Sequence, residues 1–207
     1  MRFDRKLGNR VWIGLTAVWL LAIGLGMHAL QKYETTPGTP GDPPAKWPAK
    51  SQLPRQAGLA TIVVMGHPKC PCTRATISEL AVLMTRLHNQ VAAVVVLVRP
   101  RGTPEGWDDT DLRHSAATIP GVTVVSDLDE AEADLFGAQV SGQTMLYDAG
   151  GKLLFSGGIT SSRGHAGDNV GSSSIVSFVT AGTANHARTP VFGCALRTPT
   201  ISNGESL

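Results

Sequence analysis

The chain has 207 residues, a length that allows one domain of ordinary size with additional segments. Its formal net charge is +2, so it lacks the excess of basic residues that is typical of nucleic-acid-binding proteins. We therefore expect no nucleic-acid partner.

Residues 11–30 contain no charged residue, which predicts a single transmembrane helix. About 20 helical residues, each rising ~1.5 Å, cross the ~30 Å hydrocarbon core of a bilayer. A cleaved signal peptide is the alternative, but its apolar core is typically only about 7–15 residues long. Basic residues precede the run, and the positive-inside rule then puts residues 1–10 in the cytoplasm and the rest outside, in the periplasm of a bacterium. They are Arg2, Arg5, Lys6 and Arg10, against the single acidic residue Asp4.

Residues 31–57 are rich in proline, which fixes φ and removes backbone donors, so we predict an extended linker. Residues 58–184 alternate β-branched apolar runs with helical periodicity, which is typical of an α/β domain with a mixed sheet flanked by helices. Residues 185–207 are predicted to be an irregular tail. The expected elements are strand 59–65, helix 72–89, strand 91–98, helix 108–117 capped by Asp108 or Asp109, strand 122–125, helix 127–135, hairpin 144–155 and helix 173–179.

Two of the three cysteines lie in a turn between the first predicted strand and the first long helix, which reads His67-Pro68-Lys69-Cys70-Pro71-Cys72-Thr73-Arg74. Pro71 suits the first helical turn, where its missing N–H costs nothing. A thiol at that end of a helix faces unsatisfied amides and the positive end of the helix dipole. Nearby Lys69, Arg74 and His67 add positive charge, so we expect a thiolate here.

The strand, cysteine turn, helix and strand, followed by the hairpin Tyr147-Asp148-Ala149-Gly150-Gly151-Lys152-Leu153, resemble the thioredoxin-like superfamily over residues 58–182. The resemblance is strongest to membrane-tethered redoxins and the small bacterial group labelled RedB. It implies a thioredoxin-like mixed sheet and a redox-active cysteine pair. The chain departs from the family in two places. Pro71 alone separates the cysteines, and Gly142-Gln143-Thr144 stands where the family has a cis-proline before the hairpin.

The leading functional hypothesis is thiol–disulfide exchange with protein thiols and disulfides of the exported compartment, without a cofactor. By analogy with the family, Cys70 attacks and Cys72 resolves the mixed disulfide. A bridge between Cys70 and Cys72 closes a very small ring, and the strain should make it easy to reduce.

A second hypothesis is binding or delivery of copper or a related soft ion. Two thiolates and imidazole are suitable ligands, so the candidate ligands are Cys70, Cys72, His67 and His165.

A third hypothesis is structural. Cys194 can form a disulfide with Cys70 or Cys72 that pins the tail to a non-catalytic domain. Alternatively, Cys194 is the resolving thiol of a three-cysteine relay, or simply a small buried residue.

A glycine-rich polar loop follows the hairpin and contains Arg163, His165 and Asp168. Together with Gln143 it is a candidate border of the cysteine site, and a plain surface loop is the alternative. Asp108, Asp109 and Asp111 are interpreted as a helix start rather than a metal site.

Overall fold

The structure is a computed structural model that describes residues 5–196, with side chains from residue 9 onward. The chain divides into two compact units, with the boundary between Thr36 and Pro37. The first contains one helix, α1 (Arg5–Thr35), of which Asn9–Thr35 is long and apolar enough to cross a membrane. The charge-free run predicted at 11–30 therefore lies within a longer helix.

The second unit is built on a five-stranded mixed sheet in the order β3-β2-β1-β4-β5. Strands β1, β2 and β3 are parallel, whereas β4 runs antiparallel to β1 and β5 runs antiparallel to β4. The elements are β1 (Ala60–Gly66), α2 (Pro71–Arg86), β2 (Val91–Arg99), α3 (Asp111–Ala117), β3 (Val122–Leu128), α4 (Ala131–Leu135), β4 (Thr144–Tyr147), β5 (Leu153–Gly157) and α5 (Val170–Ala181).

Strand β1 is the centre of the sheet and has a hydrophobic core on each face. Successive side chains of a strand point to opposite faces. Ile62 and Val64 accordingly belong to the core formed with α2, α3 and α5. Val63 and Met65 belong to the core on the other face, beside α4. All four side chains are fully buried, so β1 holds the turn that follows Gly66 in a fixed position.

The proline-rich segment differs from the extended linker predicted for residues 31–57. Residues 31–35 belong to α1, and residues 37–57 pack on the sheet domain. The Trp47 N–H donates to Gly151 O at 2.7 Å, and Leu53 is buried. The Trp47 ring makes edge contacts with Phe136 and Tyr147, at centroid distances of 5.0 and 5.3 Å. The segment is extended, as proline favours, but its few apolar side chains complete one core of the domain.

Helices α3 and α4 begin later in the chain than predicted. Thr110, not Asp108 or Asp109, caps α3 by accepting from Arg113 N. The Asp108 carboxylate instead accepts from the Arg113 guanidinium at 2.9 Å. Asp127 lies at the end of β3 rather than in a helix, and its carboxylate accepts from the first amides of α4, which begins at Ala131.

The described part of the tail, residues 185–196, has few repeating elements but is held against the domain. Ala195 forms an antiparallel bridge with Val140. Leu196 N donates to Gln139 O at 2.8 Å, and Ser141 N donates to Cys194 O at 2.8 Å. The tail thus crosses the segment that enters β4.

Candidate redox site

The site is built on the first turn of α2. Cys70 is the N-cap residue, with extended backbone, and Pro71 is the first helical residue, as predicted. Gly66 ends β1 directly against this turn, because a Cβ there would lie 2.7 Å from Thr73 Cγ2. The strand and the helix therefore hold the two cysteines at the end of the sheet.

Cys70 is held as a thiolate. Its pKa is lowered to about 4, chiefly because the Cys72 thiol donates a hydrogen bond to its sulfur, with further bonds from the amides of Thr73 and Cys72 and from the Ser141 hydroxyl. Burial opposes this shift, since Cys70 is only 5% exposed. The pKa of Cys72 is raised by the same hydrogen bond, by burial and by the negative charge of its sulfur neighbours. The pair is thus one thiolate and one thiol donor.

A buried hydroxyl pair supports the thiolate. Thr73 Oγ1 and Ser141 Oγ are 2.6 Å apart. The backbone N–H of His67 donates to both, at 3.2 and 3.1 Å. If Thr73 donates to Ser141, the Ser141 proton is directed to Cys70, so the two hydroxyls form a chain that ends on the sulfur.

Cys194 completes a cluster of three sulfurs. The tail brings it to the α2 turn, and the sulfur atoms of Cys70, Cys72 and Cys194 all lie within 4.8 Å of one another. None of the three cysteines is in a disulfide. Cys194 is partly exposed, whereas Cys70 and Cys72 are buried.

The charged residues predicted to tune the site have different positions. Lys69 is exposed, and its ammonium lies 4.5 Å from the centre of the Trp107 ring. Arg74 forms an exposed ion pair with Asp111 at 2.6 Å. His67 packs edge-on to Trp107, and burial together with the charge of Lys69 lowers its pKa, while the charge of Cys70 opposes this. Neutral imidazole is therefore favoured at neutral pH.

Arg163 of the predicted border loop and its neighbour Gly164 reach the cluster. The Arg163 guanidinium donates to Gly193 O and lies 4.0 Å from Cys194 Sγ. The neighbouring Gly164 amide donates to Cys72 and lowers the pKa of that thiol. His165 is exposed, with its Nδ1 2.7 Å from Arg163 O.

Gln143 and Asp168 have other contacts. The buried Gln143 side chain accepts from Gly41 N at 3.1 Å and so ties residues 37–57 to the start of β4. The exposed Asp168 lies 3.9 Å from Arg86. Among the described residues, the grouped metal-ligand atoms are the three sulfurs, and neither His67 nor His165 is in that group.

Thr73, Ser141 and Gly164 are site residues that the sequence did not identify. Thr73 could have been predicted as a site residue, because it is the third residue of a helix whose N-cap is Cys70. Ser141 and Gly164 come from distant segments and carry no motif. Their contribution depends on the chain crossings that only the fold provides.

A thiolate beside a thiol donor and a third sulfur can do two kinds of chemistry. It can attack a disulfide, because the thiolate is the nucleophile in exchange. It can also bind a soft metal ion through several sulfurs.

Comparison with known proteins gives structural neighbours only, since no family model and no curated protein sequence matches the chain. A conserved uncharacterised protein from Geobacillus kaustophilus is 18% identical with a TM-score of 0.58, covering 80% of this chain and 94% of its own. A hypothetical protein from Sinorhizobium meliloti is 20% identical with a TM-score of 0.56, covering 78% and 93%. A secreted Mycobacterium tuberculosis disulfide oxidoreductase homologous to E. coli DsbE is 14% identical with a TM-score of 0.42, covering 60% and 83%.

The strand order carries the fold assignment. A parallel β1-α2-β2 unit is followed by the antiparallel β4-β5 hairpin and α5, and the cysteine turn joins β1 to α2. This is the arrangement that the sequence resemblance implied. The chain therefore has a thioredoxin-like fold, with a mixed sheet flanked by helices and an apolar helix near the N-terminus that is long enough to span a membrane.

Proposed function

We propose that this protein is a membrane-anchored thiol–disulfide oxidoreductase whose redox-active thiolate is Cys70. The observation that carries the proposal is the Cys70 sulfur at the N-cap of α2, which lies within 4.8 Å of two other sulfurs and whose pKa is lowered to about 4 by donors from Cys72, Thr73 and Ser141. A free cysteine with a pKa near 8.5 is only a few per cent ionised at neutral pH. Cys70 is ionised almost completely under the same conditions.

The proposed reaction exchanges one disulfide for another. The Cys70 sulfur and one neighbouring sulfur of the cluster form a disulfide as a substrate disulfide takes up two electrons and becomes a dithiol. In the reverse direction, a substrate dithiol opens the protein disulfide and leaves as a disulfide. Relative reduction potentials set the direction, and no cofactor takes part.

We propose that the reaction takes place outside the cytoplasm, at the bacterial inner membrane. The apolar helix supports an uncleaved anchor, and the basic residues before it support a cytoplasmic N-terminus. The sheet domain then faces an oxidising compartment, where protein dithiols and disulfides are the natural substrates.

The test is exchange activity of the full-length protein in detergent, measured with a reduced dithiol peptide in a glutathione redox buffer. Cys70→Ser should abolish catalysed oxidation of the peptide, because serine provides neither a thiolate nor a disulfide. Ser78→Ala is a matched control, since its exposed hydroxyl bonds only the Arg74 carbonyl on α2. Full activity of Cys70→Ser would refute the proposal.

A second candidate function is binding of a soft ion such as Cu(I), and the mutual distances of at most 4.8 Å among the three sulfurs favour it. The proposed ligands are Cys70, Cys72 and Cys194, in place of the histidines considered from sequence. Titration of the reduced protein with Cu(I) against a chromophoric chelator should give one bound ion and weaker binding by Cys194→Ser. Equal affinity of His165→Ala and the wild type would exclude His165 as a ligand.

A further inference from the structure

We propose that Cys194 is both the disulfide partner of Cys70 and the sulfur that meets the substrate. The inference rests on the proposed exchange function and identifies its second cysteine. Cys72 then serves as the hydrogen-bond donor that holds the Cys70 thiolate.

Backbone contacts with residues 140 and 141 fix the position of Cys194. The bridge between Val140 and Ala195 and the bond from Ser141 N to Cys194 O hold it on both sides. Gly193 packs directly on this segment, because a Cβ there would lie 1.8 Å from Ser141 O. The same residue, Ser141, thus supports Cys70 through its hydroxyl and Cys194 through its amide.

Cys194 is more accessible to a substrate than the two cysteines of the α2 turn. Cys70 is 5% exposed and Cys72 is 3% exposed, whereas Cys194 is partly exposed. A disulfide on another molecule therefore reaches Cys194 before it reaches the two sulfurs of the α2 turn.

The position of Cys70 suits it to be the leaving sulfur when the Cys70–Cys194 disulfide is opened. When a thiolate attacks a protein disulfide, the sulfur that leaves most easily is the one most stable as a thiolate. Cys70 is the N-cap residue of α2, where the free amides of the first helical turn and the positive end of the helix dipole stabilise a departing thiolate. Attack at the Cys194 sulfur with departure of Cys70 is therefore the favoured opening step.

Cys72 is poorly suited to be the partner. Its thiol proton is used in the bond to Cys70. A bridge between Cys70 and Cys72 must also close a very small ring across Pro71, whose φ is fixed at the first helical position. A bridge to Cys194 joins two separate segments and closes a long loop instead.

The surroundings of Cys194 support a reactive sulfur. The Arg163 guanidinium is 4.0 Å from its Sγ and donates to the carbonyl of the preceding residue, Gly193. The guanidinium is therefore placed to stabilise negative charge on the Cys194 sulfur when that sulfur leaves the mixed disulfide.

Oxidation of a substrate dithiol by the Cys70–Cys194 disulfide has two steps. A substrate thiolate attacks Cys194 Sγ, the Cys70–Cys194 bond breaks, and Cys70 leaves with the electron pair as a thiolate. The second substrate thiolate then attacks the substrate sulfur of the mixed disulfide, and Cys194 leaves as a thiolate. The substrate has lost two electrons and the protein has gained two. In the reverse direction, Cys194 attacks a substrate disulfide and Cys70 resolves the adduct.

The first test maps the disulfide of oxidised full-length protein. Oxidation with excess glutathione disulfide, acid quenching and proteolysis should give a cross-linked peptide pair containing Cys70 and Cys194, with Cys72 as a thiol. A Cys70–Cys72 bridge would overturn the inference and leave the exchange function standing. Absence of any disulfide at Cys70 would refute the exchange function itself.

The second test locates the mixed disulfide in variants. Reduced Cys70→Ser treated with glutathione disulfide should retain one glutathionyl group on Cys194, because the thiol that resolves it has been removed. Cys72→Ser should still form the Cys70–Cys194 disulfide but oxidise the dithiol peptide more slowly, because it alters the main hydrogen-bond donor to Cys70, whereas Cys194→Ser should lose that activity. Full turnover by Cys194→Ser, or a glutathionyl group on Cys72 rather than Cys194 in Cys70→Ser, would overturn the inference.

Discussion

The Ser141 hydroxyl provides a sharp test of how the Cys70 thiolate is stabilised. Ser141 is fully buried, and its side chain bonds the Cys70 sulfur and lies 2.6 Å from Thr73 Oγ1. Ser141→Ala removes one donor to an ionised group, which is worth about 1.5 kcal/mol, and this corresponds to a rise of about 1 in the pKa of Cys70. The His67 amide keeps a partner, because it also donates to Thr73 Oγ1 at 3.2 Å.

The assay is the rate of alkylation of Cys70 by iodoacetamide as a function of pH, with each cysteine followed by peptide mapping. The midpoint for Cys70 lies at about pH 4 in the wild type and should move up by about 1 in Ser141→Ala. The rate at neutral pH should hardly change, because Cys70 is still ionised there. Ser174→Ala is a matched control, since Ser174 is also buried and its hydroxyl bonds only Val170 O within α5. An unchanged midpoint in Ser141→Ala, or the same shift in the control, would refute the reasoning.

Two further predictions concern stability. The stability of the reduced protein should rise with pH from about 4 to about 8.5, by up to about 1.4 kcal/mol per pH unit, because the lowered pKa of Cys70 makes the unfolded chain bind more protons in this window. Above that window the stability should fall, since the raised pKa of Cys72 keeps its proton only in the folded state. The measurement is the free energy of unfolding in urea as a function of pH, for the reduced and for the oxidised protein. The difference between the two isolates the contribution of the thiols, and a difference that does not change with pH would contradict the prediction. Trp47→Ala should lower the free energy of unfolding by about 3 kcal/mol, because the ring packs on Phe136 and Tyr147. An unchanged urea midpoint would show that residues 37–57 do not contribute to the core.

The parts of the fold that sequence predicted are those encoded by local patterns. The β-branched runs of β1 and β2 and the apolar periodicity of α2 reflect packing against the nearest layers. The cysteine turn was predictable for the same reason, because Pro71 marks a helix start within three residues of both thiols. Local rules also placed the mixed sheet and its hairpin.

The parts that sequence missed depend on distant segments meeting. Proline content predicted that residues 31–57 would be extended, but not that Trp47 and Leu53 would pack on the sheet domain. The sequence is compatible with several roles for Cys194, because its place is determined by backbone bonds to residues 139–141 that carry no side-chain signal. The same holds for Ser141. Nothing in the sequence distinguishes its hydroxyl from that of other serines, and only the fold brings it next to the tail and the α2 turn.

The tail crossing has a consequence for biosynthesis. Cys70 and Cys72 precede Cys194 by most of the domain, and a nascent chain begins to fold from its N-terminal side. The domain therefore passes through a stage in which the α2 dithiol is present without its third sulfur. The assembled cluster, and the chemistry proposed for it, become available only when residues 193–196 dock on the domain.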